Sequence, residues 1–170
     1  LTTQMGNQPA GLLDLHKVAL EISLQPVDKQ LAGLLSYFPS RAPLDLKRQG
    51  PQYEGVGNFS FGYVANLVGI PKDLALRAGG FVAGPQWDAS LGTPFDLPGA
   101  SGSYGDAAHD FANVALGWDY AAAVKQSLGM SFSVQSGQMG YLGLGFSTPS
   151  FTLPSPPELV RDTSPSAPQD

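Results

Sequence analysis

Prolines and glycines punctuate this chain, and between them the apolar residues recur at helical spacing. Leu12, Leu13, Leu15, Val18, Ala19 and Ile22 follow an i, i+3, i+4, i+7 pattern that Pro26 must end. A second short helix is expected over Asp28 to Tyr37, with Leu31, Leu34, Leu35 and Phe38 on one face and Asp28 at its favourable N-terminal end. Pro39 and Pro43 bracket a turn, and residues 44–57 read as a loop. The apolar run from Asn58 to Gly69 fits either helix or strand. Its Gly62 and Gly69 fall nearly on one helical face, where they permit close packing. Pro71 suits the first turn of a further helix, and Gly79-Gly80 can supply its left-handed stop. Residues 84–105 form a long Gly/Pro/Ser/Asp segment, of a kind that is uncommon unless functional. Asp106 to about Ser127 reads as helix, with Phe111, Val114, Ala115, Trp118 and Ala122 together.

The period then changes to two. Phe132 and Val134 alternate with serines, and Leu142, Leu144 and Phe146 with glycines. Ser136-Gly137 lies between, so a β-hairpin is expected over Met130 to Phe151. The class expected is therefore α+β: a mainly helical core, long Gly/Pro-rich loops and a C-terminal β-hairpin. The expected organisation is a flexible lead over 1–11, one domain over 12–153, and a Pro/Ser-rich disordered tail over 154–170. Leu1 stands where a complete chain would carry Met, which reads as a piece of a longer protein.

Composition narrows the chemistry. Without cysteine there is no thiolate nucleophile and no cysteine zinc site. Nine Lys and Arg against 14 Asp and Glu leave no basic stripe for gripping duplex nucleic acid, though a compact local site remains open. No apolar run is long enough for a membrane-spanning helix. Walker, G-x-S-x-G, H-E-x-x-H and dinucleotide motifs are all missing.

Four places could carry chemistry. Tyr104, Asp106, His109 and Asp110 fall at a loop-to-helix junction. Asp106 and Asp110 share a helical face, with His109 three residues from Asp106. They could hold a divalent metal ion through Asp106 and Asp110 or perform acid–base work, or they could serve as helix-capping acids. Asp45, Lys47 and Arg48 could position a phosphate or form a surface ion pair. Arg77, in an apolar helix, needs a carboxylate from Asp45, Asp106 or Asp110, or else an anion. Asp14 and His16 do not face each other, so His16 reads as a lone exposed histidine.

The middle of the chain resembles the polymorphic toxin type 44 domain of bacteria. The matching residues are Asp45-Leu46-Lys47, Tyr53-Glu54, the GNFSFGYV run over 57–64, Gly69-Ile70-Pro71, and Leu76-Arg77-Ala78-Gly79. Gly92-Thr93-Pro94-Phe95, Tyr104-Gly105-Asp106, Asp110, Gly117 and Tyr120 complete the set. The likeness runs through residues 40–120, and its most specific pieces are GNF-x-x-G-x-V and Y-G-D-x-x-x-D. Where the family continues after Tyr-Gly-Asp with acid, Pro, basic, Asp, Gln, this chain has Ala107, Ala108, His109, Asp110 and Phe111. One acid and the Gln are thus missing.

The resemblance implies a secreted antibacterial toxin domain, carried by an Rhs-type shell or a type VI delivery protein and released into a competitor cell. It implies a cognate immunity protein as partner and an action in the target cytoplasm or periplasm. The activity expected is hydrolytic. A nuclease stands first, with RNA or DNA as substrate, and a peptidoglycan or other cell-envelope hydrolase second. A pore former built from the hairpin and a non-toxic interaction module of the carrier are the other readings. The site expected gathers Asp45, Lys47, Arg77, Tyr104, Asp106, His109 and Asp110.

Overall fold

Helices α1 (Leu12–Ser23) and α2 (Val27–Tyr37) meet at Pro26, whose backbone geometry suits a helix entry but supplies no N–H to continue α1. The buried side chain of Gln30 turns back from α2 and donates to the Gln25 carbonyl at 3.2 Å, satisfying an acceptor past the end of α1. The computed structural model describes residues 3–5, 8–10, 12–39, 42–46, 50–82, 88–96, 102–127, 155 and 157–161.

Helix α3 (Glu54–Val68) is the centre of the fold. Every residue from Phe59 to Asn66 is buried, so α3 has no solvent face along its middle. That all-round burial explains why its apolar run shows no one-sided stripe. The segment expected to be a loop up to residue 57 instead becomes a 3-10 turn at Pro51–Tyr53 and then the first turn of α3. Gly69 ends the helix in the left-handed region at φ 92°, with its N–H on the Asn66 carbonyl and the Ile70 N–H on the Ala65 carbonyl.

Helix α4 (Lys72–Val82) follows Pro71, and α5 (Ala108–Ser127) packs along α3. Two glycines let the α3 and α5 backbones approach. A Cβ on Gly62 would strike the Val114 carbonyl of α5, and a Cβ on Gly117 would strike the Phe59 carbonyl of α3. Phe59, Tyr63 and Tyr120 fill the space beside this crossing, with ring centroids 5.8–6.3 Å apart. From α5, the Trp118 indole donates to the Ile70 carbonyl in the α3–α4 connection at 3.0 Å, and Asp119 pairs with Lys72 at the start of α4 at 2.7 Å.

The expected α+β class is corrected: the core is helical, built from the five α-helices among the described residues. Thr3–Met5 and Gln8–Ala10 pair as short antiparallel segments ahead of α1 and add no layer. The expected hairpin over 130–151 lies outside the described residues. Physically, most of the apolar side chains that make the core sit on segments of period 3.6, with Leu44 and Ile70 added from the connections between helices.

Gly79-Gly80 does not stop α4, which runs through both to Val82. The reason for glycine at 80 is proximity, since a Cβ there would collide with the Tyr104 carbonyl. His16 is not a lone exposed residue either. Its ring meets the edge of Tyr63 at 5.7 Å, half-buried between α1 and α3. No helix among the described residues is long and apolar enough to cross a membrane.

Candidate functional site

The N-terminal turn of α5 and the first turns of α3 bring polar side chains together in an otherwise apolar setting. Asp110, 1% exposed, accepts a hydrogen bond on Oδ1 from the Asn58 amide. His109 Nε2 lies 3.3 Å from the same oxygen and 4.0 Å from Glu54 Oε2. Glu54 is the first residue of α3 and Asn58 stands one turn later on that helix. His109 and Asp110 occupy the first turn of α5, where the unsatisfied N–H groups favour negative charge.

His109 Nε2 is shut off from solvent and has no hydrogen-bond partner among the described residues. A bare lone pair there would face carboxylate oxygens. The positive group that relieves this is a proton on Nε2 or a cation between the three side chains. Glu54, His109 and Asp110 each offer a donor atom, all within 4.8 Å of one another. One imidazole nitrogen and two carboxylate oxygens are a donor set for zinc or a similar divalent ion, and three protein ligands leave a position for water.

Tyr104 and Arg77 belong to a neighbouring arrangement. Arg77 Nε donates to Asp73 Oδ2 at 2.7 Å and Nη1 to the Pro94 carbonyl at 2.9 Å. The Tyr104 hydroxyl donates to Asp73 Oδ1 at 2.9 Å, and the guanidinium lies over the Tyr104 ring at 4.8 Å. Donation from Arg77 first, and from Tyr104 second, holds the Asp73 carboxyl below its usual range. Burial first, then the bond to Asp73, raises the Tyr104 phenol. Tyr104 sits at φ 55° and Gly105 at φ 85°, two consecutive left-handed residues that turn the loop sharply into α5. The tyrosine tolerates that backbone because its ring and hydroxyl are both pinned.

The structure divides the expected site residues into groups. His109 and Asp110 come together, joined by Glu54 and Asn58, which lay in segments read as loop and as apolar run. Asp106 is buried one turn earlier and is not a member of the three-donor group. Its Oδ1 accepts the Ala107 N–H at 3.1 Å, and its own N–H donates to the Ser103 carbonyl at 3.0 Å, so it shapes the entry to α5. Among the described residues the three-donor group that converges is Glu54, His109 and Asp110, which shares Asp110 with the expected metal pair.

Arg77 has a carboxylate partner as expected, but it is Asp73 on its own helix rather than Asp45, Asp106 or Asp110. Asp45 is half-buried beside Leu46, which packs where Gly57 leaves room on α3. Lys47 and Arg48 lie outside the described residues. A signal for Glu54 was present in the Tyr53-Glu54 match of the resemblance, whereas nothing local marked Asn58 as a partner for Asp110.

No protein-family model, curated protein or solved structure matches the chain.

Proposed function

We propose that the chain is the toxin domain of a secreted antibacterial effector, delivered by a larger Rhs-type carrier and acting on competitor cells as a hydrolase. What supports this reading is a meeting of motifs. Asn58 comes from the GNF segment and Asp110 from the Y-G-D-x-x-x-D segment, and 52 residues apart in sequence they form one hydrogen bond. The two most specific pieces of the resemblance thus build a single polar centre.

The residues divide the chemical work. His109 carries the one imidazole of the centre, a group that can both accept and donate a proton, and it is assigned the proton transfer in attack or departure. Asp110, fixed by Asn58, places a carboxylate oxygen 3.3 Å from the imidazole Nε2, where it would stabilise the imidazolium formed during proton transfer. Glu54, about one-fifth exposed, stands between this pair and solvent as the second carboxylate. Arg77 and Tyr104 hold the loop entering α5 and act through it. A nuclease comes first. A cell-envelope hydrolase is the second reading, favoured because the centre carries two carboxylates while Arg77 is engaged by Asp73.

The test is induced expression in the bacterial cytoplasm and, separately, in the periplasm, for the parent chain and for His109→Ala and Glu54→Gln. Killing from the cytoplasm with loss of RNA or DNA integrity, abolished by His109→Ala, is the expected result. Lysis from the periplasm alone would transfer the assignment to the envelope. Killing that survives both substitutions would overturn the site, and a folded parent that kills from neither compartment would overturn the toxin reading.

A further inference from the structure

Asn113 is completely buried, yet both ends of its side-chain amide are satisfied by one residue far along the chain. Its Nδ2 donates to the Val160 carbonyl at 2.8 Å, and the Val160 N–H donates to its Oδ1 at 2.8 Å. This is the pair of bonds that one strand residue offers to a neighbour in an antiparallel ladder. Here a side chain on α5 takes the neighbour's place. Residues 157–161 carry no helix, and Leu159 packs on the core from the position next to the clamped residue.

Gly55 completes the seat. A Cβ at that position would lie 3.1 Å from Asn113 Nδ2, a tight approach to the clamping amide, and 3.8 Å from Leu159 Cδ1, in ordinary contact. The bonds to the clamp are made by the Val160 backbone, and the residue stays 41% exposed.

From these observations we infer that Asn113, Gly55 and the adjoining core surface form a binding site for an extended peptide carrying a leucine one residue before the clamped position. The occupant is the chain's own segment Pro157–Arg161, docked as a strap. The amide selects peptide backbone and the Leu159 seat selects the side chain, the division of labour seen wherever a strand is added to a receptor. A buried amide stripped of both partners is costly, which keeps the seat filled. The seat adjoins the polar centre, because Gly55 follows Glu54 and Asn113 stands one turn beyond Asp110 and His109 on α5. The inference holds whether or not that centre is hydrolytic.

The test uses full-length protein and nuclear magnetic resonance. In the parent chain the Val160 amide should exchange with solvent at least about tenfold more slowly than an unprotected amide of the same sequence. The full-length Val160→Pro variant lacks the clamped N–H, so its own strap should be released. An unlabelled peptide with the sequence of residues 155–161 should then shift the Asn113 side-chain amide saturably. The parent should need at least about tenfold more of the same peptide, because its tethered strap competes at high effective concentration. A peptide with proline at the position of Val160 should produce no shift. Intrinsic exchange at Val160, no response of the variant to the peptide, or an equal response to the proline peptide would each overturn the inference. Because the substitution lies on the exposed strap, the helical core serves as an internal control for folding.

Discussion

Replacing Gly117 by alanine sets two effects against each other, and the structure decides which wins. Helix propensity alone makes Gly117→Ala stabilising by about 1 kcal/mol in the interior of α5. The added Cβ would lie 1.9 Å from the Phe59 carbonyl oxygen and 3.0 Å from the Tyr63 nitrogen. Ordinary contact begins at 3.4 Å, so α3 and α5 must separate by about 1.5 Å at the crossing. A radial gap of about 0.5–1 Å already forfeits a quarter to a half of each dispersion contact. The gap would open beside Phe59, Tyr63 and Tyr120, three large rings that share this crossing. Overpacking usually costs about 1–3 kcal/mol and sometimes more. With loss of ring packing added and propensity subtracted, a net destabilisation of about 3 kcal/mol is expected. That is a large part of the roughly 5–15 kcal/mol that domains possess.

Urea unfolding followed by circular dichroism measures the difference, with the slope checked for two-state behaviour. Gly62→Ala should behave alike, because its Cβ meets the Val114 carbonyl from the opposite side. Gly79→Ala is the control. Its Cβ would find Asp106 Oδ2 at 3.5 Å and Val114 Cγ2 at 3.7 Å, which is ordinary contact, so a gain of about 0.5–1 kcal/mol is expected. If Gly117→Ala proved as stable as the parent, the close backbone crossing would be refuted.

Stability should also vary with alkaline pH through Lys125. Burial lowers its ammonium from 10.5 to about 8, so between these values the unfolded chain binds more protons and stability rises with pH. The desolvation penalty is therefore fully present at neutral pH and relieved as the folded ammonium loses its proton. Lys125→Met should remove the climb while leaving the Asn66 carbonyl paired with the Gly69 N–H, and persistence of the slope in pH-dependent urea melts would refute this. Above pH 10 the trend should reverse, because burial pushes the Tyr63 phenol up to about 12 and the unfolded chain then ionises first. Trp118→Phe removes the bond to the Ile70 carbonyl and should cost about 1 kcal/mol in thermal or urea unfolding. Asp73→Asn should lower stability by less than about 1 kcal/mol, since its carboxylate is half-exposed, but should quicken proteolysis of the loop that Arg77 and Tyr104 pin.

Helices α1, α2 and α4 were legible because their causes are local. Proline removes an N–H and restricts the backbone before it, and a 3.6-residue apolar stripe needs no partner to be recognised. His109 and Asp110 were legible for the same reason, being neighbours on one predicted helical turn. Glu54 was marked only by the Tyr53-Glu54 match of the resemblance, because residues 44–57 carry glycines and polar side chains that read as loop until α3 is seen to start there. Glycine also carries several meanings that sequence cannot separate. Gly69 is a left-handed cap, Gly80 makes room for the Tyr104 carbonyl, and Gly62 and Gly117 let two helices touch. The α+β expectation is overturned by the described residues, whose core is built from helices, because class is set by what the core buries.

Periodicity alone determined that helices would form at α1, α2, α4 and α5, and composition that the chain would hold no cysteine chemistry. Tertiary structure decided that α3 is central, that Asn58 and Glu54 face Asp110 and His109, and that Asn113 holds Val160. Each of these depends on where two backbones cross. A crossing is fixed by the fit of surfaces distant in sequence, and no single stretch of residues contains both sides of it.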